Sequence, residues 1–329
     1  MLALSRMDVQ ALVSMERAIE LVKLAFVDLS AKRATAPIRT AIEIVPGSAT
    51  TLVMPAFVPA ADALGVKVVS VIAANAERGL PTITSVVCLI DPDTGSPLAV
   101  LDGAYLTALR TGAVSGAATD LLARPEVKTL TLIGAGAQAV MQAVAVAAVR
   151  QLERIVVVAR DQSRLDRFHG TMESEWPAIA AKIETTTDVA RAVREADVIC
   201  CATTSKTPVF DDADVRPGTH INGVGSFTSS MREIPSATVA RALVVVDQRE
   251  AAMEEAGDLI IPIAAGEIDE SHIAGELGEL VSGSVRGREH AGQVTVFKSV
   301  GNAVQDMAVG RFAYDEALRR GTGQAFALS

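Results

Sequence analysis

Thr129-Leu130-Thr131-Leu132-Ile133-Gly134-Ala135-Gly136-Ala137-Gln138-Ala139 is the stretch that decides the fold. A short alternating run leads straight into G-x-G-x-x-A, and the following segment, Gln138 to Arg150, carries almost no charge until its last turn. Strand, glycine turn and helix in that order make a dinucleotide-binding unit. The glycines let the backbone turn sharply and approach a pyrophosphate, and Ala139 lets the helix pack closely on the strand. The helix N-terminus offers unpaired N–H groups to negative charge. Gly134, Gly136, Ala137 and Gln138 are therefore the expected pyrophosphate contacts.

Downstream, strand-like and helical patterns alternate. Arg154 to Ala159, Ala196 to Ala202, His220 to Val224 and Leu243 to Asp247 read as strands, and Gln162 to Met172 and Asp188 to Glu195 as helices. Alternation of this kind predicts an α/β, Rossmann-type doubly wound parallel sheet. Upstream, Ser14 to Ala34 places Ala18, Leu21, Val22, Ala25, Phe26 and Leu29 on one helical face. From Arg39 to Leu101, β-branched runs separated by Pro46-Gly47, Asn75, Gly79-Leu80-Pro81 and Asp91-Pro92-Asp93-Thr94-Gly95 predict a mostly antiparallel sheet. A helix from Thr107 to Ala123 ends at Arg124-Pro125-Glu126. Val294 to Arg320 reads as a final helix, beginning near Lys298 and packing back on the N-terminal part. The expected domains are a Rossmann NAD(P)-binding domain over residues 123–297 and a discontinuous α+β domain over 1–122 and 298–329.

With 329 residues, half of them hydrophobic, the chain can bury two cores. A net charge of -9 and 3% aromatic residues argue against a nucleic-acid partner, which needs a basic groove and stacking rings. The apolar run Ala143 to Val149 is too short to span a bilayer, and Met1 to Gln10 lacks the pattern of a signal peptide, so no membrane partner and a cytoplasmic location are expected. Cys88, Cys200 and Cys201 sit in apolar runs, and His169, His220, His272 and His290 are scattered, which leaves no metal-ligand spacing.

Cofactor choice falls to the end of the second strand of the glycine-turn unit, where Arg160-Asp161-Gln162-Ser163-Arg164 follows Ile155 to Ala159. Arg160 can clamp a 2′-phosphate, with Ser163 and Arg164 in reach, so the reading favours NADP(H); Asp161 leaves NAD(H) open. Three cations lie in otherwise apolar segments, Arg39, Lys67 and Arg110. Burying them without a partner is costly, so together they point to an anionic ligand, most simply a carboxylate. Gly223-Val224-Gly225-Ser226-Phe227 lies at the C-terminal end of a strand, where open α/β sheets bind ligands. Ser299 and Gly301 sit at a helix entry that suits capping or contact with the nicotinamide side.

Taken in order, Arg39, Met54-Pro55, Gly65-Val66-Lys67, Gly79-Leu80-Pro81-Thr82, Asp91 to Leu98, Asp102-Gly103, Leu106-Thr107-Ala108-Leu109-Arg110-Thr111, Ile133 to Gln138, Gly218-Thr219-His220-Ile221-Asn222 and Ser299-Val300-Gly301-Asn302-Ala303 resemble the ornithine cyclodeaminase and mu-crystallin family over nearly the whole chain. The resemblance implies a homodimer whose N-terminal domain dimerises and holds substrate, while the Rossmann domain supplies NAD(P). It implies that Arg39, Lys67 and Arg110 bind the substrate carboxylate, with Lys67 and Arg110 at the reacting centre and Met54, Phe227, Ser299 and Gly301 beside the substrate. Thr82, Arg110, Thr203, Gly225 and Ser226 are the further implied cofactor contacts. The cyclodeaminase branch carries an aspartate where this chain has Phe227, so that chemistry lacks an evident base here. Gly225-Ser226-Phe227-Thr228 with Met231-Arg232-Glu233 looks instead like the loop of members that reduce cyclic imines. The implied activity is NAD(P)H-dependent reduction of a small cyclic imino acid, Δ1-pyrroline-2-carboxylate to L-proline, with Δ1-piperideine-2-carboxylate to L-pipecolate as a second substrate. An alanine-type dehydrogenase, an ornithine cyclodeaminase and a non-catalytic binding protein are the alternatives.

Overall fold

The computed structural model describes residues 1–46 and 48–327. The chain forms two compact units, one from Met1–Arg110 with Asn302–Ser329 and the other from Thr111–Gly301.

In the first unit, β1 (Leu2–Leu4), β2 (Thr40–Val45), β3 (Ala49–Val58), β4 (Ala63–Ile72), β5 (Ile83–Ile90) and β6 (Pro97–Asp102) join the short strand Gln324–Ala325 in a seven-stranded sheet. Its order runs from Gln324–Ala325 through β1, β6, β5, β4 and β3 to β2, antiparallel throughout except for β1 beside β6. The β5–β6 hairpin forms because the Asp91 carboxylate accepts the Asp93 and Thr94 N–H groups at 2.9 Å and Gly95 takes a φ of 73°. In β4, Gly65, Lys67 and Val69 are buried, while Val66, Val68 and Ser70 face the other side and are only half-buried. Helices Met15–Ser30 and Ala303–Arg320 cover the buried face. The first starts where the Ser14 hydroxyl accepts the Arg17 N–H and buries Ala18, Ile19, Val22, Ala25, Phe26 and Leu29. The second starts at the Asn302 cap and stops at Gly321, whose φ of 65° reverses the chain.

The second unit carries β7 (Thr129–Ile133), β8 (Arg154–Val158), β9 (Ile183–Thr186), β10 (Val198–Cys201), β11 (His220–Gly223), β12 (Leu243–Val246), β13 (Ile273–Glu276) and β14 (Thr295–Lys298). All eight are parallel, in the order β13-β12-β14-β11-β10-β7-β8-β9. The apolar runs of β7, β8, β10 and β12 fit strands buried on both faces. Strand order reverses between β7 and β10, and the crevice beyond the carboxyl ends of strands at such a point is where doubly wound sheets bind ligands.

Two expectations need correction. Val294 to Arg320 is not one helix: Thr295-Val296-Phe297-Lys298 is β14, fully buried between β11 and β12, and the helix begins only at Ala303. A β-branched and aromatic run suits that central place, and its short length hid it beside a long helical pattern. The passage between units also differs from the expected residue 122, because helix Gly103–Leu122 is continuous and its residues change unit between Arg110 and Thr111. On its return the chain re-enters the first unit at Asn302 instead of residue 298.

Candidate active site

Lys67, from the middle of β4, and Arg110, from helix Gly103–Leu122, both reach Asp306 on helix Ala303–Arg320. Lys67 Nζ donates to Asp306 Oδ2 at 2.6 Å, and Arg110 Nε donates to Asp306 Oδ1 at 3.1 Å. All three are buried: Lys67 is 1% exposed, Arg110 5% and Asp306 0%. Arg110 Nη1 also donates to Gln305 Oε1 at 2.5 Å. Burial and the nearby Arg110 guanidinium lower the Lys67 pKa to about 7; Asp306 opposes that fall, and Arg39 adds to it. Arg39, immediately before β2, is thus electrostatically part of the group, although half-exposed. Met54 is buried directly opposite Lys67 in the β3–β4 register. Thr82 is exposed before β5, its carbonyl accepting the Ile72 N–H at 2.8 Å.

In the second unit, the glycine turn lies at the carboxyl end of β7. Gly134 has a φ of 108°, and a Cβ there would come within 2.6 Å of the Ala202 carbonyl, so only glycine fits. Gly136 is different: a Cβ would meet nothing within 4 Å, and as N-cap of helix Ala137–Val149 it supplies no side-chain acceptor. No side chain caps the first turn of that helix, and within it the Ala139 N–H reaches back to the Gly136 carbonyl at 3.1 Å. Gln138 adds a buried Oε1 without a hydrogen-bond partner among the described residues. An open approach over uncapped N–H groups fits a dinucleotide pyrophosphate. Arg160 is exposed just past β8, while Asp161 caps the next helix through the Ser163 N–H at 2.9 Å and sits 3.9 Å from Arg164. Ser163 also accepts from Arg167 at 3.2 Å.

Several residues expected to face ligand spend their donors within the protein. Glu233 accepts the Thr203 N–H and hydroxyl at 2.6 and 2.8 Å, and the Gly225 and Ser226 N–H groups at 2.8 and 3.0 Å. The Ser226 hydroxyl donates to Asp258 and accepts from Lys298 Nζ at 2.6 Å. Lys298 lies 3.1 Å from Asp258 and is fully buried. Burial pushes the Glu233 carboxyl up; it pushes Asp258 the same way, but Lys298 and the hydrogen bonds outweigh it and hold Asp258 low. Gly225 is glycine because a Cβ would fall 2.2 Å from the Thr203 carbonyl. Likewise Asp247 accepts the Ser299 hydroxyl at 2.7 Å and the Val300 and Gly301 N–H groups at 2.9 and 2.8 Å. These donors shape the strand ends and are not free for a ligand. Phe227, next to Ser226, stays half-buried.

The sequence reading assigned no role to Asp306, Gln305, Glu233, Asp258 or Asp247. The criterion that singled out the cations, a polar residue in an apolar run, would have found Gln305 and Asp306 within Val304-Gln305-Asp306-Met307-Ala308-Val309. Among the described residues, no helix is long and apolar enough to cross a membrane.

The chain matches the model of the ornithine cyclodeaminase/mu-crystallin family over residues 1–321. It is 43% identical over 325 residues, 98% of this chain and 99% of the other, to the Delta(1)-pyrroline-2-carboxylate reductase of Bacillus cereus (strain ATCC 10987 / NRS 248). The structure of the Thermococcus litoralis enzyme of the same name, in complex with NADH and L-proline, is similar with a TM-score of 0.95 and 41% identity, covering 99% of this chain and 100% of that one. An archaeal alanine dehydrogenase dimer with bound NAD gives a TM-score of 0.91 and 30% identity over 100% of this chain and 99% of its own.

Proposed function

Since the chain belongs to the ornithine cyclodeaminase/mu-crystallin family, we propose that it reduces a cyclic ketimine carboxylate, Δ1-pyrroline-2-carboxylate to L-proline, with a nicotinamide dinucleotide as reductant. The observation that carries this reading is the cation cluster. Asp306 carries one negative charge against the two buried cations Lys67 and Arg110, and the remaining positive charge in an apolar layer calls for an anion of carboxylate size.

Reduced nicotinamide supplies a hydride to the imine carbon. Arg39, Lys67 and Arg110 bind and orient the carboxylate, which fixes the face of the ring that reacts. Lys67, its pKa lowered to about 7, carries at Nζ a proton that it can give to the imine nitrogen at neutral pH. Met54 supplies an apolar wall opposite it. Phe227 stands where cyclodeamination would want a carboxylate, which supports reduction over ring-forming deamination. Purified protein given Δ1-pyrroline-2-carboxylate is expected to oxidise NADH or NADPH. Silence on this substrate and the piperideine analogue, with turnover of pyruvate plus ammonia, would move the assignment to an alanine-type dehydrogenase.

Arg160 is the residue that would engage a 2′-phosphate, and it supports NADP(H) use beside the NAD(H) of the relatives' structures. Arg160→Ala is expected to weaken NADPH about 10- to 100-fold in a fluorescence titration, the worth of a hydrogen bond to a charged group, and to leave NADH unchanged. Equal losses for both cofactors would remove Arg160 from the phosphate.

The working form in this reading is a homodimer. Cross-strand register aligns Val53, Val68 and Val86 in one row and Pro55, Val66 and Cys88 in the next, on the sheet face turned away from helix Ala303–Arg320. Val86 is 39% exposed, and on the neighbouring edge strand Ile42 is 54% and Ile44 57% exposed. A second copy covering this face would bury those rows. Light scattering on Val68→Glu should report a monomer where the parent protein is a dimer. A dimeric Val68→Glu would exclude this face.

A further inference from the structure

Gln305 is fully buried, and its amide orientation is set by charge. Arg110 has only donors, so the oxygen of the amide must face the guanidinium, as Oε1 does at 2.5 Å. The nitrogen then has to point elsewhere, and Nε2 has no hydrogen-bond partner among the described residues. Thr107, buried on the same helix as Arg110 and one turn before it, likewise has an Oγ1 without a partner. A buried amide N–H without a partner, on a side chain whose oxygen holds a guanidinium, is uncommon in a folded interior and points to a place completed by a ligand.

We propose that Gln305 is a further recognition residue of the carboxylate site, donating an N–H from Nε2 to a carboxylate oxygen of the substrate while its Oε1 aims Arg110. This rests on the reading of the site given above and names what turns the substrate in it. Lys67 and Arg110 share their donors with Asp306, so a neutral amide adds a hydrogen bond without further charge. A donor also discriminates between the two ends of the ligand. It accepts the carboxylate and repels the N–H of a protonated imine, so the imine end is kept away from Gln305.

Gln305→Glu tests this, because glutamate has the same shape and keeps an oxygen on Arg110 but replaces the donor by an acceptor. The variant also sets a negative charge beside the ligand carboxylate, so KM for Δ1-pyrroline-2-carboxylate is expected to rise about 10- to 100-fold through lost donor and added charge together, with NADH affinity unchanged. Gln305→Met, which removes both the donor and the oxygen on Arg110 without adding charge, should show a rise in the same direction. L-Proline binding, measured by calorimetry with NAD present, reads recognition without turnover and should weaken in both variants. Unaltered KM and L-proline affinity in Gln305→Glu, or in Gln305→Met should the first variant not fold, would overturn the role of Gln305. A parent protein that neither reduces the imine nor binds L-proline would overturn the substrate reading itself, so the two failures are told apart.

Discussion

Replacing Asp306 by asparagine is expected to lower stability by about 3–5 kcal/mol, the usual cost of removing one partner from a buried ion pair. The reason is local: Asp306 is the carboxylate that both Lys67 Nζ and Arg110 Nε reach, at 2.6 and 3.1 Å, and all three are withdrawn from water. Asparagine preserves shape and removes the charge, leaving the buried Arg110 cation without an anion and Lys67 readier to lose its proton. The midpoint of urea unfolding should fall while its slope stays the same. Because a ligand carboxylate can take over part of the missing charge, saturating L-proline should raise the melting temperature of the variant more than that of the parent protein. A loss below about 1 kcal/mol, within the range of exposed pairs, would show that the cluster does not depend on Asp306.

Lys67→Met should have the largest effect on activity, a fall in kcat/KM of about 10²- to 10⁴-fold, the range of a lost general acid. Lys67→Arg separates the two duties of the side chain. Arginine keeps a positive charge for the carboxylate but does not release a proton near neutral pH, so KM should change little while kcat drops. The pH profile carries the same information. A lysine is protonated below its pKa, and burial with Arg110 brings that value to about 7, so kcat/KM should be flat below pH 7 and fall above it. Asp306 opposes the lowering, so Asp306→Asn should move the falling limb to lower pH. A Lys67→Arg enzyme with the parent kcat at pH 7 would remove Lys67 as proton donor.

The parts of the site that were legible in the sequence are those whose signal is local. Gly134 needs its positive φ and Gly136 its open approach within one strand–turn–helix segment, so the spacing shows them directly. Lys67 stands out because Val66, Val68 and Val69 surround it, and the structure buries it. Asp306 stands in an apolar run as Lys67 does, but the sequence does not show which cations it meets. Its burial follows from helix Ala303–Arg320 lying against β3 and β4, which are distant in sequence.

Ser299, Gly301, Gly225, Ser226 and Thr203 mark the other limit. Each sits at a strand end or helix entry, where a sequence pattern points to a ligand, yet Asp247 and Glu233 reach in from other segments and take their donors. By itself, then, the sequence determined the parallel α/β sheet, the glycine turn that opens its helix and the antiparallel sheet, and it singled out the three cations. All of these arise from periodicity, turn chemistry and the cost of burying charge, which neighbouring residues express. Only the tertiary structure decided which polar groups are already satisfied and which, like Gln305 Nε2, have no partner among the described residues. A hydrogen bond is satisfied by whatever the fold brings within about 3 Å, and that partner can lie anywhere in the chain.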